Sequence, residues 1–404
     1  MNTGVSDGDH LKSSAISYNA RLSNNVVNFS DFDDWERHFL NLMKDRSTPS
    51  PLAKFLVGSS FYEDHHSSFV QNLIQPTPIV RHATVACAAA LLGDQFNEYA
   101  KRGLEIGHQR AALAISSLRS LEINGQDDLV TSLILGVALL TFAMHVRDGQ
   151  PFLICHYTLS LIKTQYPDLS GLDPSLMDFL MCLVSAETFE CLLRSQVPTL
   201  RVNTHGRGRF VDRYLGLCSP MLFYFYDICE VSSAFRYVAK AGDSELLRRL
   251  NGINLAVEKW QPLPPLDFSE RFTQIEGATM LAQAKILRLG ALLVIHRLYH
   301  PFGQQDREAL LFSQEIIAEF ENMLHLSHNS IPCTSLAYLA ACFEIMDQEA
   351  RAWVMQRCTQ IVTFSKQAQI RFKTRLSIVW KARDSGNSFY WFQLCEYLPG
   401  QDIQ

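Results

Sequence analysis

Apolar residues recur at spacings of three and four along most of this chain, and the stretch from Leu281 to Leu326 shows the rhythm most clearly. Leu281, Ala284, Leu287, Ala291, Val294 and Leu298 share one helical face, while Gln283, Lys285, Arg288 and Arg297 fall largely off it. Pro301 lacks an N–H and pushes His300 out of the helical region, so the helix ends there and Gly303 opens a turn. Asp306 is placed to cap the next helix, whose positive first turn suits Glu308. Leu310, Ile316, Ile317, Phe320, Met323 and Leu324 carry the second stripe. Two such helices joined by a short loop form an antiparallel αα-hairpin, which needs further helices to cover it.

The same reading places helices along the rest of the chain. One spans 30–44, capped by Ser30 or Asp31, with Trp35, Phe39, Leu42 and Met43 turned inward. Others follow at 55–73, at 79–92, at 98–121 with a stripe of Leu104, Ala111, Ile115, Leu118 and Leu121, and at 129–145 behind Asp127 as cap. Further helices span 152–166, 175–193, 214–239 and 244–260, and the Pro-rich connector 261–268 leads into the hairpin. Helices at 335–345, 347–363 and 366–383 precede a closing aromatic segment at 389–398. No run alternates apolar and polar residues long enough for a strand, and no fixed-period repeat is present. The expected fold is all-α, an irregular multi-helix array of antiparallel helical hairpins. Residues 1–28 read as a disordered arm and 29–400 as the domain. The stretch 196–213, with Pro198, Gly206 and Gly208, divides it into halves at 29–196 and 210–400.

Composition narrows the class. Hydrophobic residues make up 47% and aromatics 11%, enough for a sizeable core. A net charge of −5 argues against a free-standing DNA-binding domain, which carries a basic patch, so no DNA-contacting residue is nominated. The ten cysteines include no Cys-x2-Cys, which excludes structural zinc of the usual spacing, and no metal or cofactor is expected. Their apolar surroundings read as buried reduced thiols in a reducing compartment. The opening residues are polar rather than basic then apolar, so no signal peptide is expected. Leu129 to Val146, the most apolar run, is too short and polar to span a membrane comfortably and reads as a core helix.

Few residues suggest chemistry. His296 and His300 sit four apart on one helix face, but Arg297 follows the first, HExxH is absent, and a structural role is the expectation. In RVNTHGRGRFVDR, Arg207 and Arg209 among glycines could hold an anionic ligand, against the plainer reading of a solvated loop. His65-His66 after Glu63-Asp64 reads as exposed loop. In MLFYFYDIC, Phe223, Tyr224 and Tyr226 are candidates to line a ligand pocket, against the plainer reading as core. No Gly-x-Ser-x-Gly, GxGxxG or carboxylate-rich metal motif occurs, so no catalytic residue is nominated.

LLVIHRLYHPFGQQDREAL resembles the fungal-specific transcription factor domain, the helical regulatory region of fungal binuclear zinc cluster regulators. The residues that carry the resemblance are Ile295, His296, Arg297 and Leu298, then Pro301, Phe302 and Gly303, then Asp306 and Ala309. FVDRYLGLCSPML, Trp260 with Pro262, ACFEIMDQEARAWV, VWKARDSG and YWFQLCEYLPG are similar to further segments of the same family in the same order. The closely paired cysteines of the zinc cluster are missing, the first cysteine being the solitary Cys87, and the family's usual Glu before the DG turn is absent from TFAMHVRDG. The resemblance implies a transcription regulatory protein of the nucleus or cytoplasm, with no membrane association. It would act through a protein partner, either the transcription machinery or a DNA-binding regulator, or through a small-molecule ligand, in control of a fungal secondary-metabolite gene cluster. The alternative is an enzyme or small-molecule-binding protein of a biosynthetic pathway on the same scaffold.

Overall fold

A computed structural model of the protein describes residues 32–44, 51–73, 78–165, 176–202, 211–237 and 244–398. The arm expected at 1–28 and the loop residues Arg207 and Arg209 lie outside them. The fold is all-α. Among the described residues there is no strand, only an isolated bridge between Asp212 and Gly216.

The helices are α1 Asp34–Lys44, α2 Tyr62–Leu73, α3 Pro78–Gln95, α4 Ala100–Ser120, α5 Gln126–His145, α6 Pro151–Gln165 and α7 Met177–Arg194. There follow α8 Met221–Tyr237, α9 Ser244–Lys259, α10 Gln274–Tyr299, α11 Asp306–Ser327, α12 Ser335–Phe343, α13 Gln348–Ile361 and α14 Lys366–Asp384. Single helical turns at Phe268–Arg271 and Leu394–Tyr397 complete the chain. Neighbours in sequence pack as neighbours in space, and one apolar cluster runs from Phe32 to Leu398.

Among the described residues, two helices are long and apolar enough to cross a membrane by length and composition, α5 and α10, and 78% of the apolar window of each is buried inside the protein. In α5 nearly every residue from Leu129 to Ala143 is covered, which explains why it shows little amphipathic rhythm.

The helix starts follow capping chemistry. Asp33 caps α1 by accepting from the Glu36 N–H at 2.8 Å while Glu36 accepts from the Asp33 N–H at 3.0 Å. That cap lies beyond the Ser30 or Asp31 suggested by the sequence. Thr273 and Glu276 form a capping box that starts α10 at Gln274. Glu276 also accepts from the Ser60 N–H at 2.7 Å and its hydroxyl at 2.8 Å, tying the segment before α2 to α10. Asp347 and Ser365 cap α13 and α14 by accepting from Ala350 and Ala368 N–H groups.

Some expected faces are rotated. Leu104 is 48% exposed, and α4 instead buries Gly103, Ile106, Gly107, Ala111, Ala114 and Leu118 against α3. The reason is close approach: a Cβ added at Gly103 would lie 2.5 Å from the Ala89 carbonyl oxygen, so the small residues mark the contact line. Trp35 is 40% exposed rather than inward, and Leu281 and Leu310 sit on the exposed rims of their stripes. Gln283 and Arg297, expected off the apolar face, are fully buried, each with hydrogen-bonding partners that make this tolerable.

Candidate functional site

The turn Asp212–Gly216 is the first piece of the site. Asp212 Oδ1 accepts from the Tyr214 and Leu215 N–H groups, each at 2.8 Å, and Gly216 takes a positive φ of 55°. Gln283 of α10 donates from Nε2 to the Tyr214 carbonyl at 2.9 Å and to the Pro332 carbonyl at 2.8 Å. One buried amide therefore holds two irregular segments in place, and both of them face a cavity.

The cavity holds about 230 Å³ and lies between α5, α7, α12 and α14. Val137, Leu140 and Met144 come from α5, Cys182, Ala186, Phe189 and Leu193 from α7, Leu336 and Leu339 from α12, and Phe372 from α14. Leu52, Phe55, Tyr214, Pro332, Cys333 and Phe364 from connecting segments close its sides. The hydroxyls of Thr141 and Ser185 are spent on the carbonyls of Val137 and Cys182 within their own helices, leaving the wall largely apolar.

Its charged edge is compact. Arg375 Nη2 donates to both oxygens of Glu190, at 2.9 and 2.8 Å, and Arg194 Nε lies 3.6 Å from Glu190 Oε2. Burial pushes the Glu190 carboxyl up, but Arg375 and Arg194 outweigh it and hold the group below its ordinary value. Arg371 donates to the Met144 carbonyl at 2.7 Å and the Val146 carbonyl at 3.4 Å, where α5 ends. Burial, and then the neighbouring Arg375, lower the pKa of Arg371. Lys54 is exposed on the lining.

His65 also lines the cavity, which corrects the expected exposed loop: it lies on α2, 5% exposed. Burial, with Arg213 beside it, pushes its pKa down to about 3 and keeps the ring neutral. Arg213 Nη1 lies 3.2 Å from His65 Nδ1, and the same guanidinium pairs with Asp178. The neutral ring follows from helical packing of α2, which the polar local composition concealed.

All ten cysteines are free thiols, and Cys182 and Cys333, the two that are not fully buried, both line the cavity. Burial pushes the Cys182 thiol up to about 12 and Cys333 up as well, so neither is a thiolate at neutral pH.

The sequence-nominated aromatics stand elsewhere. Phe223, Tyr224 and Tyr226 are half-buried on α8 and are not part of the cavity wall. The Arg201 guanidinium lies over Phe223 at 4.2 Å and near Tyr226 at 5.7 Å, and it pairs with Asp227 at 2.5 Å. Sequence reading missed Glu190, Arg371 and Arg375. Their signal was faint: Arg371 and Arg375 stand among several other charges on α14, and Glu190 lies far from both in the chain.

Two other polar clusters have structural explanations. His296 Nε2 lies 3.2 Å from the Gln305 carbonyl, and no group of three or more potential metal ligands occurs among the described residues. Glu187, fully buried, accepts from the Thr199 N–H at 2.9 Å and the Thr199 hydroxyl at 2.5 Å, with His156 Nδ1 at 2.9 Å. That carboxylate anchors the loop after α7.

Three of the segments that carry the family resemblance, around Arg297, Glu344 and Arg383, converge on one buried ionic hub. Arg297 donates from Nε to Glu344 Oε1 at 2.8 Å and from Nη2 to Glu344 Oε2 at 2.5 Å. It also donates to Asp306 Oδ1 at 2.7 Å and to the Pro301 and Gln304 carbonyls at 3.0 and 2.8 Å. Arg383 bonds to Asp306 Oδ2 at 3.1 Å and to the Phe343 carbonyl, and both guanidiniums lie against the Phe302 ring, 4.8 and 5.3 Å from its centroid. Trp380 and Trp391 donate to the Cys342 and Leu192 carbonyls. Asp306 is thus not the expected side-chain cap of α11. Gln305 occupies that position in a left-handed conformation, because two guanidiniums and the Gly303 N–H claim the Asp306 carboxylate.

Residues 35–403 match the family described as fungal specific transcription factor domain. The chain belongs to that family. No zinc-cluster family matches it, and no curated protein and no solved structure gave a match. Membership assigns the chain to transcription regulation. In this fungal specific transcription factor domain the hub ties the α10–α11 turn to α12 and α14, and the cavity lies among the neighbouring helices.

Proposed function

We infer that the protein regulates transcription by holding a small-molecule effector in the central cavity and passing its occupancy to a protein partner, either a DNA-binding regulator or a component of the transcription machinery. The observation that carries this reading is the cavity itself. It is apolar, edged by charge, and walled by α5, α7, α12 and α14 together, so filling it bears on how four helices pack. Family membership supports a nuclear site of action, and we put its targets among the genes of a fungal secondary-metabolite cluster.

The test is substitution of a small wall residue by a large one. Ala186→Phe and Ala368→Phe fill the cavity from opposite helices. Each variant is first shown to fold by circular dichroism and cooperative unfolding. Transcript profiling should then show the same set of target genes locked in one state in both variants. Folded, filled variants with wild-type transcript responses would overturn the effector reading. Deletion of the gene with unchanged transcripts and accumulation of a pathway intermediate would overturn regulation and favour an enzyme.

A further inference from the structure

We propose that the cavity takes an organic acid, a compact apolar body ending in a carboxylate, with Arg371 and Arg375 holding the acid group. This rests on the effector reading and specifies its ligand.

The charges at the edge do not balance. Arg371 and Arg375 are two cations on the wall, and among the described residues Glu190 is the one carboxylate within ion-pairing distance of either of them. Both oxygens of Glu190 are engaged by Arg375, and Arg371 makes no ion pair among the described residues. The carbonyls of Met144 and Val146 fix Arg371 in place without neutralising it. Nε and Nη1 of Arg375 and Nε of Arg371 have no protein acceptor among the described residues. A partly buried guanidinium without a counter-charge is costly, and an entering anion removes that cost.

The rest of the wall rejects other ligand classes. A cation would meet the positive edge. A sugar or polyol would find few free polar groups, because Thr141 and Ser185 are bonded within their helices and His65 is neutral and turned toward Arg213. An apolar body is suited to Leu140, Met144, Phe189, Leu339 and Phe372. An empty site of about 150 Å³ accommodates benzene, so by proportion this cavity of about 230 Å³ accommodates on the order of ten non-hydrogen atoms. Octanoate and 3-phenylpropanoate are of that size.

The experiment is isothermal titration of the full chain with octanoate, 3-phenylpropanoate, methyl octanoate and octylamine. Both acids should bind, and the ester and the amine should bind at least tenfold more weakly. Arg371→Met should weaken the acids tenfold or more while leaving the ester unchanged, and Arg371→Lys should restore much of the loss. Circular dichroism confirms that each variant is folded. Equal binding of acid and ester, or acid binding untouched by Arg371→Met, would overturn the proposal. So would failure of both acids to bind. None of these results touches the effector reading, which stands or falls on the cavity-filling variants and their transcripts.

Discussion

Arg297 Nη2 lies 2.5 Å from Glu344 Oε2, a two-pronged ion pair between residues 47 positions apart, and both side chains are almost completely removed from water. Burial pushes the Glu344 carboxyl up, against the pull of Arg297 and Arg383. The pair gains its specificity from geometry: a guanidinium fork meets both carboxylate oxygens only when α10 and the end of α12 sit in one register.

Removing one partner should therefore cost far more than the pair contributes. Glu344→Ala leaves two guanidiniums buried without their shared carboxylate, and the expected loss is about 3–5 kcal/mol. Urea unfolding of the variant measures it. A loss under about 1 kcal/mol, the range of exposed pairs, would show that the hub is hydrated.

Gln283→Leu keeps the volume of a buried side chain and removes its two donated bonds. The Tyr214 and Pro332 carbonyls lose their donor, and each deprived carbonyl costs about 1–3 kcal/mol. Chemical unfolding gives the total. Faster amide exchange at 212–218, compared with the wild type, would show that the turn itself has loosened.

Two helical glycines should respond with opposite signs. Gly103→Ala forces a methyl to within 2.5 Å of the Ala89 carbonyl oxygen, so α3 and α4 must separate, at about 1–3 kcal/mol. Gly252 in α9 has nothing within 4 Å of a built Cβ, and Gly252→Ala should stabilise by about 0.5–1 kcal/mol. Thermal unfolding of both variants checks the signs.

Asp212 predicts a pH dependence. Burial, and then Asp178, push its carboxyl up from the ordinary 3.8 to about 6. The folded protein then holds this proton more tightly than the unfolded chain. Its contribution is fully present below the unfolded value and is lost as pH rises through about 6. Asp212→Asn keeps an oxygen for the Tyr214 and Leu215 N–H groups and cannot titrate. Urea titrations from about pH 4 to 7 should show a decline with rising pH in the wild type that is absent from the variant. Parallel curves would refute the assignment.

The helices were legible because capping residues and breakers are local: Pro301, Asp347 and the rhythm of α10 can be read without knowing the fold. The all-α array followed from them, and the motif IHRL-x-x-PFG pointed to the family. Faces were less legible where small residues decide packing. Leu104 is the more hydrophobic residue and Gly103 is the one buried, because contact distance, rather than transfer from water, selects the interface there. The cavity was not legible at all. Glu190 and Arg375 are 185 positions apart, and nothing near either residue in the chain signals the other. The aromatic density of α8 drew attention instead, although Phe223 and Tyr226 stack with Arg201 at a half-exposed surface.

The cavity wall begins at Leu52 and is completed by Arg375. A ribosome making this chain must therefore deliver every helix from the first wall residue to α14 before the cavity is enclosed. A product that stops short of α14 lacks one of the four helical walls, so the cavity does not close in it. Closure of the cavity therefore waits on the synthesis of α14, long after its first wall residue has left the ribosome.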